Sequence, residues 1–453
     1  MWNQVCGKIF TDYTMELKNR EIRYFVLRNY EKLPEQNIGK DVDIIVEPKK
    51  KKEAVKLLKE VYKKNGLEYY DEAVFDQMTC THGMGLEKKT GIHIDVIGGY
   101  LARGFELYSF DELYRHVMLY KDFYVLGELM DGVMLLVYKL FGYKKPKLKE
   151  KYREKIYEIY QKYPKDYQKE LEKLTDSKFA EETVALIREK DFDRIIENNE
   201  QFSKKLTHYA YKKARFKTWG RRLRFLWQKA ERSIFRYRKY RRVFAVLAPD
   251  GTGKTTFLDT LIEQLNKYYV SDSSDGKFNV YHFRPTILPN LGAVGEKAGV
   301  MEQDKDFTNP HRSKPANPIS SFIRMGYYML DYIIGWQKCV RNDVRCDRYS
   351  VFDRYSYDFI VDPKRSKIRL PMVIRKMFVA LTPKPPIVFV LKAEAETIYQ
   401  RKQELTREEI QRQLEVYGKL AKSGKRFHTI NAEQLPEKMA EEALEIIFKK
   451  YCS

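Results

Sequence analysis

The chain has 453 residues, of which 43% are hydrophobic and 33% charged. That length predicts two to three domains, and that balance excludes a fibrous or wholly disordered chain. Eighty-five basic against 63 acidic residues leave a net charge of +22, which points to anionic partners: phosphates, nucleic acid or a membrane surface.

Residues 1–110 mix short apolar runs (Tyr24 to Leu27, Val42 to Val46, Ile92 to Ile97) with a helical stretch from Lys49 to Asn65. That is an α/β rhythm. Over 111–205 the apolar residues recur at helical spacing, as in Leu126, Met130, Val133, Met134, Val137 and Leu140. Almost no strand signal appears there, and a helical domain is expected. Residues 206–242 read as a basic amphipathic linker helix. Between Lys212 and Arg242 there are 14 basic residues and one acid, Glu231, so +13 of the charge lies in this segment. Phe216, Trp219, Leu223, Leu226, Trp227, Ala230, Ile234 and Tyr237 recur at steps of three and four, with Gly220 as an expected break. From 243 to 453, five β runs alternate with helical segments: Val243 to Leu247, Asn279 to His282, Ser350 to Asp353, Ile387 to Leu391 and Phe427 to Ile430. They predict a parallel sheet with helices on both faces. The fold class is therefore multidomain α/β. No 18-residue apolar run and no apolar signal-peptide core is present, and the five cysteines show no metal-ligand spacing. A cytoplasmic protein with reduced thiols is expected.

The run Val243-Phe-Ala-Val-Leu-Ala-Pro-Asp-Gly-Thr-Gly-Lys-Thr-Thr256 places a glycine-bearing loop between a buried strand and a helix start. Backbone N–H groups of such a loop surround phosphate oxygens. Asp250, Gly251, Thr252, Gly253, Lys254, Thr255 and Thr256 are therefore the expected ATP-binding residues. Lys254 reaches the outer phosphates and Thr255 ligates Mg²⁺. The first glycine of the full pattern is replaced by Ala248.

This region resembles the thymidylate kinase family over residues 243–453. The loop, His282-Phe-Arg-Pro285 and Val351-Phe-Asp-Arg-Tyr355 carry the resemblance. It implies that Asp353 acts beside Mg²⁺, that Arg284 and Arg354 grip the acceptor with Tyr355, and that a basic lid follows the fourth strand. Arg401 is then the charge stabiliser, with Lys402 and Arg407 behind it. Where the family carries an acidic–arginine pair on a helix, this chain reads Asp331-Tyr332. The acceptor is thus expected to be a nucleotide, a sugar or a sugar phosphate. Kinases of this family are often dimers, so a homodimer is also implied.

In the amino-terminal region, Asp41-Val-Asp43 offers two carboxylates on one side of a strand, and Asp95 in Ile92-His-Ile-Asp-Val-Ile97 supplies a third. Three converging carboxylates hold Mg²⁺ for nucleotidyl transfer. The trio resembles the polymerase-β-like nucleotidyltransferase superfamily. That family's Gly-Ser pair is replaced by Leu27-Arg28-Asn29, which makes Arg28 and Asn29 the expected triphosphate ligands. His93 reads as a surface or core histidine.

The expectation is a bifunctional enzyme using ATP and Mg²⁺, a kinase joined to a nucleotidyltransferase-like domain, suited to surface-glycan or glycolipid synthesis. Two alternatives stand beside it: a nucleic-acid end-processing enzyme, and a catalytically degenerate ATP-binding switch. For the basic segment, three roles compete: a helix packed on a neighbouring domain, an anionic membrane contact at the inner membrane face, and a nucleic-acid contact.

Overall fold

The computed structural model describes residues 2–39, 41–75, 77–143, 146–234, 242–268, 278–289, 317–346 and 348–452. The loops expected at Ser271 to Lys277 and Asn309 to Asn317 lie, apart from Asn317, outside them. Two compact units make up the chain. One spans Met1–Ile234, and the other takes in Phe235–Asn266 and Asp272–Tyr451.

The first unit contains β1 (Tyr24–Val26), β2 (Val42–Val46), β3 (Glu68–Phe75), β4 (Met78–Gly85), β5 (Thr90–Gly98), β6 (Leu101–Ala102), β7 (Phe105–Glu106), β8 (Val117–Tyr120) and β9 (Phe123–Leu126). Seven of these form one mixed sheet in the order β3-β4-β5-β2-β1-β9-β8. Alternation along β2 sends Val42, Ile44 and Val46 to one face, where helices Gln4–Asn19 and Lys51–Lys64 cover them. The second helix buries Ala54, Leu57, Leu58, Val61 and Tyr62, an i, i+3, i+4, i+7, i+8 stripe. Ile45 faces the opposite side, under helix Glu128–Phe141 and the helices that follow it. Asp43 alternates to that same side.

The structure differs from the sequence expectation at two hairpins of this unit, of which β3–β4 corresponds to no expected strand run. The hairpin β8–β9 lies beyond residue 110, and β9 pairs in parallel with β1 through Val26 and Val125. The sheet therefore runs to Leu126, and Leu126 belongs to a strand rather than to the helical stripe.

The second unit holds β10 (Val243–Leu247), β11 (Phe278–His282), β12 (Tyr349–Asp353), β13 (Ile387–Lys392) and β14 (Phe427–Asn431). All four pairings are parallel, in the order β11-β12-β10-β13-β14. On one face Val243, Ala245 and Leu247 join a core with Met325, Tyr332, Phe378 and Tyr417. On the other, Phe244 and Phe257 both meet the edge of Phe389, which seats helix Lys254–Tyr268. The expected two-sided parallel sheet is present. Among the described residues no helix is long and apolar enough to cross a membrane.

Candidate functional site

Central strand β10 is flanked by β12 and β13, so its carboxyl end is the switch point of the sheet, where ligands bind in open α/β folds. The chain leaves it through Ala248 to Gly253. Gly251 and Gly253 have φ of 84° and 92°, a left-handed conformation that glycine adopts without strain. Helix Lys254–Tyr268 begins at once, so its first N–H groups, unpaired within the helix, face the loop's hollow. A cavity of about 530 Å³ opens there. It is lined by the loop from Asp250 to Thr256, without Thr252, and by His282, Phe283, Asp353, Arg354, Arg365, Arg401 and Lys402.

Asp250 organises the cations around this cavity. It accepts from Arg354 Nη2 and from Arg365 Nη1, and Lys254 Nζ lies 3.5 Å from its Oδ1. Burial pushes its carboxyl up, but Arg354, Lys254 and Arg365 outweigh that and hold it well below the ordinary carboxylate range. Lys254 also donates to the carbonyls of Ala248 (3.2 Å) and Pro249 (3.1 Å). Burial first, and the neighbouring Arg354 second, bring its ammonium down to about 8. Arg354, at φ 70°, is held by Asp358 (2.7 Å), which in turn accepts from Tyr417 (2.7 Å).

Asp353 ends β12 in register with Val246 and with His282. Its Oδ2 lies 3.3 Å from His282 Nδ1, and its buried Oδ1 has no hydrogen-bond partner among the described residues. A buried carboxylate oxygen left open beside a phosphate-type loop fits a hard cation such as Mg²⁺, with the Thr255 hydroxyl on the same cavity.

The lid residues divide. Arg401 lines the cavity and donates to Ala432 O at 3.2 Å, and Lys402 lies over Gly251. Arg407 does not line it. Its guanidinium is paired with Glu396 at 2.6 Å and stacked 3.9 Å from the Tyr399 ring. Arg365 takes the place beside Lys254 that sequence reasoning left unassigned. Its only signal is the basic run Lys364-Arg365 after Asp362-Pro363.

Of the expected acceptor residues, Arg354 lines this cavity, while Arg284, Asp331 and Tyr355 do not. Arg284 and Asp331 pair with each other at 2.8 Å, and Asp331 also accepts from Thr286 N and Leu288 N. Together they shape the turn after β11. Tyr355 is fully buried, with its hydroxyl donating to Pro383 O at 2.6 Å. It supports the fold rather than a ligand.

In the first unit, β2 and β5 run parallel with Asp43 directly opposite Asp95. Asp41, Asp43 and Asp95 each offer an oxygen within 4.8 Å of the others. Burial, together with Asp41 and Asp95, raises the Asp43 carboxyl to about 6 against the opposing pull of Arg28. Arg28 donates from Nε (3.0 Å) and Nη2 (2.6 Å) to Asp43 Oδ2. Both Arg28 and Asn29 have positive φ, 27° and 57°. Arg28 and Asp43 line a cavity of about 350 Å³ with Tyr100, Arg103, Asp131 and Tyr138. His93, given no ligand role by the sequence, lies 2.8 Å from Asp95 Oδ1 and joins Cys80 and Asp95 in a second donor cluster.

No protein-family model matches the chain, and no curated protein matches it.

Proposed function

We propose that the second unit is an ATP-dependent phosphotransferase, similar to the thymidylate kinases, acting on a small acceptor such as a nucleotide, sugar or sugar phosphate. One observation carries this reading: Asp353, whose buried Oδ1 has no hydrogen-bond partner among the described residues, lines the same cavity as Lys254, in a ring of cations at the head of a parallel sheet. Five cations (Lys254, Arg354, Arg365, Arg401 and Lys402) line that cavity against two carboxylates. Such an excess suits a polyphosphate whose charge must be balanced as a phosphoryl group leaves.

The chain's own residues divide the work. The left-handed turns at Gly251 and Gly253 let backbone approach phosphate oxygens closely. Lys254, resting on loop carbonyls, is placed to exchange them for the outer phosphates. Asp250 fixes Arg354 and Arg365 so that they meet the ligand already oriented, which lowers the reorganisation needed for transfer. Arg401 and Lys402 approach from the lid side. Thr255 and Asp353 would hold Mg²⁺, which supplies charge neutralisation on the phosphate oxygens. The acceptor is bound elsewhere than through Tyr355, whose hydroxyl is buried.

For the first unit we propose a divalent-metal site of nucleotidyltransferase type, held by Asp41, Asp43 and Asp95. Two Arg28 donors on the single oxygen Oδ2 keep Asp43 oriented, and the guanidinium would stand next to the metal position. That is where a triphosphate would need one, in the absence of the Gly-Ser pair. A kinase and a nucleotidyltransferase in one chain would suit successive activation of one metabolite in the cytoplasm, as in glycan or glycolipid assembly.

The test is transfer from γ-labelled ATP, with Mg²⁺, into pooled nucleotide, sugar, sugar-phosphate and oligonucleotide acceptors. Label in a small-molecule fraction, lost in Lys254→Ala, supports the kinase and names the acceptor class. Label confined to oligonucleotide ends would replace this reading with the nucleic-acid one.

A further inference from the structure

The helix Asn199–Ile234 is broken not at Gly220 but at Ala214, whose φ/ψ of −157°/70° are extended rather than helical. Thr218 Oγ1 bridges the break by donating to Ala210 O at 3.0 Å. Beyond it, one face of the helix is pinned to its own unit. Arg221 pairs with Glu106 at 2.8 Å, and Arg222 donates to Arg103 O with its guanidinium 4.6 Å from the Phe105 ring. Phe225 closes the cavity beneath. The approach is close at Gly104, where a Cβ would lie 3.0 Å from Arg221 O.

That docking leaves the apolar stripe on the outside. Phe216 is 89% exposed and Trp227 69%, and Trp219, Leu223 and Leu226 are exposed as well. These five recur at steps of three and four on one side of the helix, an exposed aromatic–aliphatic ridge rather than scattered residues. The helix cannot roll to bury them without breaking the Arg221 and Arg222 contacts. Around the stripe, Arg215, Lys217, Arg224 and Lys229 are exposed, as is Lys212 before the break, and Glu231 is the one acid between Lys212 and Ile234.

We propose that this outward face is an anchor for an anionic lipid surface. Charge decides between occupants. A second copy packed stripe to stripe would bring two strongly basic segments together with almost no acids to offset them. A nucleic-acid strand would satisfy the cations but leave Leu223 and Leu226, which offer no stacking plane, facing its bases. An anionic bilayer meets both parts: indole and phenyl rings enter the headgroup–acyl boundary while the flanking cations meet lipid phosphates and carboxylates. This inference is independent of what either cavity catalyses.

The experiment is flotation of the full chain with phosphatidylcholine–phosphatidylserine vesicles, and with phosphatidylcholine vesicles alone. The wild type floats with the anionic vesicles and not with the neutral ones, and added salt weakens the binding. Trp219→Glu/Trp227→Glu lowers the floated fraction by about tenfold or more, with an unchanged thermal melt because both rings are exposed. Trp219→Phe/Trp227→Phe keeps most of it. Absence of flotation by the wild type, or equal flotation by the Glu variant, overturns the proposal. So does a wild-type dimer that the Glu variant dissociates without any lipid binding, which assigns the ridge to a second copy. Trp-dependent retention of single-stranded RNA without flotation assigns it to nucleic acid instead.

Discussion

Asp250 shows how much of the C-terminal site one side chain organises. It receives Arg354 and Arg365 and lies beside Lys254. Asp250→Asn would leave two guanidinium groups in a partly buried place without their carboxylate, a loss of about 3 kcal/mol at neutral pH. The pH dependence has a definite sign. The folded carboxyl is depressed below its unfolded value of about 3.9, so its contribution is complete above that value and fades as pH falls through the folded one. Thermal melts of wild type and Asp250→Asn should differ by a constant amount from neutrality to about pH 4.5 and converge below it. Two arginines, Arg365 on the cavity and Arg407 in the expected lid, give a second contrast. Arg365→Ala removes a cation from the cavity and should lower kcat/KM for ATP by about tenfold to a hundredfold. Arg407→Ala removes an exposed pair with Glu396 and a ring contact with Tyr399, neither of them lining the cavity, and should leave kcat/KM within about twofold.

At the scale of elements, the loop after β10 and the short helix Ala395–Arg401 depend on each other. A Cβ at Gly251 would lie 2.9 Å from Lys402 Cβ and 3.1 Å from Ile398 O, on a backbone at φ 84°. Gly251→Ala should therefore push the lid helix away and strain the turn, at about 1–2 kcal/mol for the left-handed alanine alone. Nucleotide titration should show ATP affinity falling about tenfold with secondary structure retained. The elements legible in the sequence were those with a purely local signature. The strands of the second unit are apolar runs between helices, and the phosphate-type loop is contiguous. The hairpin β3–β4 is not legible, because the alternation in Met78-Thr-Cys-Thr-His-Gly-Met-Gly85 is weak, with His82 on the Met78, Cys80, Met84 side and glycines opposite, and the strand is held by neighbours on both sides. In β8–β9, Val117 to Leu126 shares the apolar spacing of the helices that follow. Arg365 has no local signature for a related reason. Its partner Asp250 is 115 positions away, and only the fold joins them. The basic ridge was legible as a stripe, but its direction was not, since that depends on Arg221 and Arg222 finding Glu106, Arg103 and Phe105.

Across the whole molecule, each unit carries its own core and its own candidate site. The chemistry of one should survive loss of the other. Asp43→Ala/Asp95→Asn should abolish nucleotide-free Mn²⁺ binding, read by paramagnetic resonance, and leave γ-phosphoryl transfer within about twofold. The second unit, in the reading proposed above, both binds ATP and moves its phosphoryl group. The most direct measurement pairs ATP binding with single-turnover release of the γ-phosphoryl group, in wild type and Asp353→Asn. The account predicts that both proteins bind ATP and that transfer in the variant falls by about a hundredfold or more. A wild-type chain that binds ATP tightly yet never transfers the phosphoryl group, with every acceptor class present, would contradict it and make the loop a nucleotide-sensing element.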